Sequence, residues 1–374
     1  MPVSYRMAAF YFAFFVWAGF AVAYFPPYLA ARGLSAVEIA WVLSLPPLAR
    51  IVAPALWGWL ADRSGALRAI VFVSCAVSAL CYAVLPQAGG VAAIAWIVGI
   101  GSLFSAAAMP LVEAITLGAL AGQSGRYGPI RLWGSIGFIG AVLAGGMWLD
   151  FHSVLALPHA IAAFASAAAL IGLLLPPRRI HAHADSSKVA LSKPALALLA
   201  SAFWMAVAHG TLYAFLTLHL QSLGYSGTLI GFLWTLGVLA EIVVFLFLPQ
   251  LFRRHSLAAI LMASAALGVV RFVMIGWASQ WLVVLFIAQL LHAATFGSFH
   301  AAAVAAVHRL FPAAAHARGQ ALFSSFGYGA GGALGAVSAG WAWAAAGPGF
   351  AFTLSSVAAA AGLLFAYPLR RQIR

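Results

Sequence analysis

Long apolar runs separated by short polar turns follow one another along the whole chain. Each run is about 20 residues or longer, which is the length a helix needs to cross the hydrocarbon core of a bilayer. Taken as spans, the twelve runs cover residues 7–31, 36–61, 67–87, 91–121, 129–149, 153–175, 194–220, 227–251, 256–277, 280–308, 319–345 and 349–368. The pattern predicts an all-α membrane protein with twelve transmembrane helices.

The longest hydrophilic stretch lies midway along the chain, at residues 176–193. A short polar segment in that position predicts a cytoplasmic linker between two six-helix halves, residues 1–175 and 194–374. Its charged and histidine residues are Arg178, Arg179, His181, His183, Asp185, Lys188 and Lys193. We expect its histidines to be solvated, and no metal site is predicted there.

The amino-acid composition supports the same class, a membrane protein. Hydrophobic residues make up 65% of the 374 residues and charged residues 7%, with a mean hydropathy of +1.04. Soluble domains contain about 25% charged residues. These values exclude an ordinary soluble protein.

The net charge of +13 could indicate a nucleic-acid partner, but its placement indicates membrane topology. With the amino terminus inside, sixteen of the nineteen Lys and Arg residues, all except Arg32, Arg50 and Arg271, fall in or beside cytoplasmic segments. This is the positive-inside pattern. It predicts a multi-pass protein of a bacterial-type inner membrane, with both termini cytoplasmic and no nucleic-acid partner. Cys75 and Cys81 are six residues apart, which indicates neither a disulfide nor a metal site.

Charged residues inside the apolar runs are the first candidates for function, because each costs roughly 3 kcal/mol on insertion scales. Glu113 and Arg131 lie on neighbouring runs joined by a short glycine-rich turn, and we expect them to form a charge pair. Arg50, Glu241 and Arg271 lie within other runs. An excess of arginines over acids leaves room for an anionic solute.

The loop after the second run carries a spaced motif of glycines and charges. Its candidate gating residues are Gly58, Asp62, Arg63, Gly65 and Arg68. Glycine allows close helix approach at the first position and a turn at the second, while the acid can pair with basic residues or a helix N-terminus. The motif resembles the signature loop of the major facilitator superfamily, in which it latches the transporter in one state. The matching place in the second half, residues 249–255, lacks the acid.

A second resemblance lies in residues 110–113 and 131–138. It is to the oligosaccharide and lactose permease branch of that superfamily, in which a Glu on the fourth helix and an Arg on the fifth bind substrate. The resemblance implies those roles for Glu113 and Arg131. Phe138 stands where that branch has a sugar-stacking Trp, which disfavours a galactoside.

The second half is more similar to the phenylpropionate permeases of the same superfamily. The similar segments are residues 231–241, 268–271 and 291–300. Two departures from the lactose permeases concern the proton: Glu241 lies about one turn later than their eighth-helix Glu, and Thr295 replaces the Glu three residues after His292. We therefore predict Glu241 as the proton-coupling residue, with His292 and His300 either assisting or only hydrogen-bonded.

Together these patterns predict a secondary transporter that takes up a small organic solute by alternating access, in symport with protons. An aromatic carboxylate is the favoured substrate. The predicted substrate-binding residues are Glu113, Arg131, Phe138, Arg50, Arg271 and Trp234. A sugar or nucleoside symporter and a drug efflux antiporter remain open alternatives. No nucleophile–base pair or HExxH motif indicates an enzyme, no cofactor is expected, and the protein is expected to function as a monomer in the lipid bilayer.

Overall fold

The computed structural model describes residues 2–120, 124–177, 191–312 and 315–373. The described residues form helices and turns, with no strand among them. The α-helices are α1 (Val3–Ala31), α2 (Ala36–Ser64), α3 (Leu67–Val84), α4 (Val91–Ala119), α5 (Tyr127–Leu149), α6 (Leu157–Gly172), α7 (Lys193–Ser222), α8 (Gly227–Arg254), α9 (Leu257–Ala278), α10 (Leu282–His292), α11 (Phe299–Leu310), α12 (His316–Leu322) and α13 (Gly332–Ala366). The all-α membrane fold predicted from the sequence is confirmed.

Eleven helical stretches in the described part of the chain are long and apolar enough to cross a membrane. The last of them, His316–Arg371, has 56 residues and contains the eleventh and twelfth predicted spans. Its backbone leaves helical geometry at Ala346 (φ −149°) and Gly347 (φ +79°), just before Pro348. Glycine tolerates a positive φ and proline cannot continue a helical hydrogen-bond ladder. The break therefore falls where the sequence placed the boundary between two spans.

Two short π-helical segments interrupt the second half of the chain. Ala293–Ser298 joins α10 to α11, and Phe323–Gly331 joins α12 to α13. Single π-helical turns inside α-helices are frequently found at functional sites. Both segments carry side chains of the site described below.

Contacts between Cα atoms divide the chain into two compact units. Unit 1 comprises Met1–Leu34, Val52–His183 and Ser226–Gly231, and unit 2 comprises Ser35–Ile51, Ala184–Tyr225 and Phe232–Arg374. Unit 1 thus takes in the start of α8, and unit 2 takes in the start of α2. The division into halves 1–175 and 194–374 stays a prediction, and residues 178–190 of the predicted linker lie outside the described residues.

Glycines allow helices to approach closely within each unit. In unit 1, a Cβ on Gly19 of α1 would lie 2.9 Å from the Ala141 Cβ of α5. In unit 2, a Cβ on Gly335 of α13 would lie 2.9 Å from the Cα of Val207 on α7. No side chain fits at either position, and small residues at such crossings are a principal source of packing between membrane helices.

Helix ends are satisfied by side chains that the sequence places there. Ser35 and Glu38 form a capping box at the start of α2, with the Ser35 backbone N–H donating to Glu38 Oε2 at 2.8 Å. Arg32 donates to the carbonyls that follow α3, including that of Ala88 at 2.6 Å. A cation at these carbonyls offsets the negative end of the helix dipole.

At the start of α8, a carboxylate interacts with the positive end of the helix dipole. Asp150, directly after α5, accepts hydrogen bonds from the backbone N–H of Gly227 at 2.5 Å and of Thr228 at 3.0 Å. The Thr228 hydroxyl also donates to this carboxylate at 2.6 Å. All three residues belong to unit 1. An anion at a helix N-terminus is stabilised by the unpaired N–H groups and by the dipole.

Candidate functional site

A carboxylate and an imidazole meet inside unit 2. Glu241 lies in the middle of α8 and His292 is the last residue of α10, and Glu241 Oε1 is 2.8 Å from His292 Nε2. Their side chains are 16% and 10% exposed, respectively. Small residues make room for the contact, because a Cβ on Gly237 would lie 3.3 Å from the His292 ring. Two of the three residues predicted for proton coupling are therefore in direct contact.

Arg271 on α9 is fully buried and is held by uncharged oxygens. Its Nε donates to the Ala288 carbonyl at 2.7 Å, one terminal nitrogen to Thr295 Oγ1 at 3.1 Å and the other to Gln289 Oε1 at 3.2 Å. Glu241 lies within electrostatic range but forms no direct ion pair with it. The guanidinium group thus contributes a permanent positive charge, and three of its five N–H donors are occupied by these oxygens.

Aromatic rings surround the Glu241–His292 contact. The Phe296 ring, in the first π-helical segment, stacks on His292 with centroids 5.3 Å apart. Tyr213 on α7 approaches Phe296 edge-on at 6.4 Å and stacks with Trp234 at 6.3 Å. The indole N–H of Trp234 donates to Thr217 Oγ1 at 3.0 Å, so Trp234 offers an apolar face rather than a donor.

His300 and Arg50 lie on the other side of the same aromatic group. The Phe296 ring also stacks on His300 at 6.3 Å, and His300 Nδ1 is 2.7 Å from the Tyr328 hydroxyl. Arg50, on the part of α2 that belongs to unit 2, is exposed and lies within electrostatic range of Tyr213 and Tyr328. Unit 2 therefore brings together Arg50, Trp234, Glu241, Arg271, His292 and His300 from the predicted residues.

Glu113 and Arg131 lie in unit 1 and are not joined by a direct ion pair. Instead, the Arg131 guanidinium lies over the ring of Phe15 at 4.3 Å and that of Tyr11 at 5.4 Å. A cation over an aromatic face is stabilised by the ring quadrupole. Glu113 remains within electrostatic range of Arg131 and of the Tyr127 hydroxyl. The two predicted charges are therefore neighbours, but they do not form the direct ion pair that the sequence predicts.

The remaining predicted substrate residue, Phe138, is half-buried where α5 crosses α1. Its carbonyl oxygen would lie 3.0 Å from a Cβ on Gly19. The Phe138 backbone therefore lies in the helix crossing. Its ring has no stacked aromatic partner among the described residues.

In the predicted gating loop, Gly65 forms the expected turn, but Gly58 does not bring two helices close together. Gly65 has a φ of +61°, a conformation that favours glycine. Arg63 lies over the Trp59 ring at 5.5 Å, and Asp62 and Arg68 are exposed. A Cβ on Gly58 would meet no described atom within 4 Å, so the close helix approach expected at that glycine is not made here.

Several residues of the site were missed by the sequence analysis. Gln289 and Thr295 hold Arg271, and Tyr328 contacts His300. Their only signal in the sequence is a polar side chain inside an apolar run. Among the described residues, no group of three or more His, Cys, Asp or Glu could hold a metal ion.

Comparison with known proteins identifies related transporters. The sequence profile of the MFS_1 like family matches residues 4–354. The probable 3-phenylpropionic acid transporter of Escherichia coli (strain K12) is 32% identical over 313 residues, which is 79% of each chain. Maltose permease of Geobacillus stearothermophilus is 36% identical over 119 residues, covering 32% of this chain and 30% of that one.

Solved structures share the fold. A mutant of the nucleoside transporter NupG superimposes with a TM-score of 0.86 over 99% of both chains, at 17% identity. A bacterial homologue of the iron transporter ferroportin, in its inward-facing state, gives a TM-score of 0.78 over 98% of both chains, at 16% identity. These relatives and structural neighbours are transporters and not enzymes.

Proposed function

The chain belongs to the MFS_1 like family of the major facilitator superfamily, and from that premise we propose that it is a proton-coupled symporter for a small aromatic carboxylate. Transport of the solute and protons would proceed by alternating access. The protein would lie in a bacterial-type inner membrane with both termini cytoplasmic and would function as a monomer.

The observation that carries the proton coupling is the contact between Glu241 and His292. Both side chains can bind or release a proton, and they touch inside segments long enough to cross a membrane. A carboxylate in hydrocarbon is costly and marks proton or substrate pathways. Arg271 supplies a permanent positive charge within electrostatic range of Glu241. A conformational change that moved the two groups apart or together would therefore change how readily Glu241 holds its proton.

The aromatic carboxylate is supported by the chemistry of unit 2 and by the relative that is 32% identical. Arg50 is exposed beside Tyr213 and Tyr328, and its planar guanidinium can bind a carboxylate through two parallel hydrogen bonds. Phe296 and Tyr213 offer faces and edges to an aromatic ring. We assign the carboxylate contact to Arg50 and the electrostatic support to Arg271. Arg131, Glu113 and Phe138 keep their predicted substrate roles within unit 1.

Uptake into proteoliposomes tests this function. Purified protein is reconstituted, a pH gradient is imposed with the acidic side outside, and labelled 3-phenylpropionate is supplied outside. We expect accumulation above the outside concentration, abolished when the gradient is collapsed with a protonophore. Accumulation of labelled maltose or a nucleoside instead would favour the sugar or nucleoside alternative. Substrate expulsion driven by the same gradient would favour an antiporter.

A further inference from the structure

Three buried histidines in unit 2 each leave one ring nitrogen without a hydrogen-bond partner among the described residues. One is His219, whose unpartnered Nδ1 belongs to a ring beside Trp343 and Phe352. The other two unpartnered atoms are Nε2 of His209, which is 3% exposed, and Nδ1 of His292, which is 8% exposed. The two rings are 6.0 Å apart between centroids. An unsatisfied buried polar atom is unfavourable, and those in native proteins need an explanation.

The hydrogen-bond partner of His209 determines which of its nitrogens carries the proton. His209 Nδ1 lies 2.8 Å from the Met205 carbonyl oxygen. A carbonyl oxygen can only accept, so Nδ1 must carry the hydrogen. In the neutral ring, Nε2 is then a bare acceptor.

The tautomer of His292 depends on the proton of Glu241. His292 Nε2 lies 2.8 Å from Glu241 Oε1. If Glu241 is ionised it can only accept, so Nε2 carries the hydrogen and Nδ1 is an acceptor. If Glu241 is protonated and donates through its hydroxyl, Nε2 accepts and the hydrogen of the neutral ring moves to Nδ1. Nδ1 then becomes a donor.

We propose that His209 and His292 form a paired binding site for a hydroxyl group on the aromatic ring of the solute, switched on by the proton of Glu241. With Glu241 protonated, the pair presents one donor, His292 Nδ1, and one acceptor, His209 Nε2. A hydroxyl group satisfies both, because it accepts one hydrogen bond and donates another. With Glu241 ionised, the pair presents two acceptors, and a single hydroxyl hydrogen can satisfy only one of them.

Aromatic rings lead from this pair toward Arg50 and favour a solute with an aromatic ring. Phe296 is 5.7 Å from His209, 5.3 Å from His292 and 6.2 Å from Tyr328, and Tyr328 lies within electrostatic range of Arg50. A hydroxylated aromatic acid carries a hydroxyl and a carboxylate at opposite ends of such a ring. This assignment rests on the proposed function and names its substrate class.

The other titratable and charged groups around the pair are Arg271 on α9, Tyr213 on α7 and His300 on α11. Arg271 lies within electrostatic range of both rings. A second positive charge beside this fixed one is unfavourable. The exchange at His292 is therefore between two neutral tautomers, controlled by Glu241 on α8.

Nitrogen NMR of the full chain, labelled with 15N-histidine in lipid nanodiscs, tests the switch without any solute. Signals are assigned by their loss in His209→Phe and His292→Phe, and the Glu241 carboxyl is followed by 13C labelling. We expect His209 to keep its hydrogen on Nδ1 at every pH. His292 should change from the Nδ1–H to the Nε2–H form together with ionisation of Glu241, and in Glu241→Gln this pH-dependent change should be absent. A His292 tautomer that does not follow Glu241, a doubly protonated His292, or a His209 hydrogen on Nε2 would overturn the switch.

Binding measurements test the ligand. At a pH where Glu241 is protonated, we expect wild-type protein to bind 3-(4-hydroxyphenyl)propionate at least about tenfold more tightly than 3-phenylpropionate, the equivalent of one hydrogen bond of about 1.4 kcal/mol. His209→Phe should lose this preference and still bind 3-phenylpropionate. The control is His219→Phe, another buried histidine on α7, whose Nε2 contacts the Ile275 carbonyl; it should keep the preference. Equal binding of the two acids by wild type overturns the hydroxyl site, whereas failure to bind either acid removes the proposed substrate and leaves the NMR result to decide the switch.

Discussion

Glu241 on α8 and His292 on α10 are joined by a 2.8 Å contact between Oε1 and Nε2, while the buried Arg271 nearby is held by uncharged oxygens. The two groups that can exchange a proton are thus in contact with each other, and the permanent charge is kept separate. Such a separation allows the carboxylate to be neutralised in two ways, by a proton or by approach of the arginine. A transporter that couples to protons needs both states to be accessible.

Replacing Glu241 by Gln removes the exchangeable proton and keeps the shape of the side chain. We expect Glu241→Gln proteoliposomes to exchange labelled for unlabelled 3-phenylpropionate at close to the wild-type rate, because exchange needs no net proton movement. Accumulation driven by a pH gradient should be lost. Glu38→Gln is the control, since Glu38 acts in the capping box of α2, and it should accumulate solute as wild type does. Wild-type accumulation by Glu241→Gln would show that the proton travels through another residue.

Arg50 is predicted to contact the solute carboxylate. Arg50→Gln should weaken binding of 3-phenylpropionate by about 1.5–3 kcal/mol, the range of a hydrogen bond to a charged group. Binding of the neutral 3-phenylpropanamide should change little, because the amide lacks the charge that Arg50 attracts. Isothermal titration calorimetry on both ligands measures the difference. An equal loss for acid and amide would indicate that Arg50 supports the fold of the site and does not bind the carboxylate.

The helices and their order follow from the sequence because apolar run length and turn residues determine them. Even the gap between the last two predicted spans, 319–345 and 349–368, coincides with the non-helical backbone at Ala346 and Gly347. The residues of the site were found for a related reason, since a charge such as Arg271 or Glu241 stands out within an apolar run.

Partners could not be predicted in the same way, because they depend on helix rotation. The sequence places Glu113 and Arg131 on neighbouring helices, but it does not show that Phe15 and Tyr11 lie under the guanidinium. Nor does it show that Gln289 and Thr295 hold Arg271. The π-helical segment at Ala293–Ser298 shifts the register of the side chains that follow it, and no turn residue marks that shift.

Arg271 should matter for stability more than any exposed arginine does. Arg271→Met leaves the Ala288 carbonyl, the Gln289 amide and the Thr295 hydroxyl without their donor. Each buried polar group left unsatisfied costs roughly 1–3 kcal/mol. We therefore expect a clear fall in the thermal unfolding midpoint in detergent, and little change for the matched variant Arg254→Met, because Arg254 is exposed at the end of α8. Equal midpoints for the two variants would contradict a structural role for the three hydrogen bonds.

The acid at the start of α8 makes stability depend on pH in a defined direction. The hydrogen bond from the Thr228 hydroxyl, together with those from the backbone N–H groups of Thr228 and Gly227, holds the pKa of Asp150 below its ordinary value. A carboxyl group whose pKa is lower in the folded state stabilises that state fully above its unfolded pKa. The contribution is lost as the pH falls through the folded value. Asp150 should therefore contribute its full share at neutral pH and lose it only in acid.

Asp150→Ala tests this directly. Loss of a helix-capping acceptor costs about 1 kcal/mol, so the variant should unfold at a lower temperature than wild type at pH 7. The difference should persist down to about pH 4, the usual range of an aspartate, and shrink below it as wild-type Asp150 is protonated. Thr228→Val removes the hydroxyl that contributes most to the lowered pKa of Asp150. The double variant Asp150→Ala/Thr228→Val should be only slightly less stable than Asp150→Ala, because the two side chains share one hydrogen bond. A difference between wild type and Asp150→Ala that stays constant into strong acid would show that the carboxylate is not what holds the start of α8.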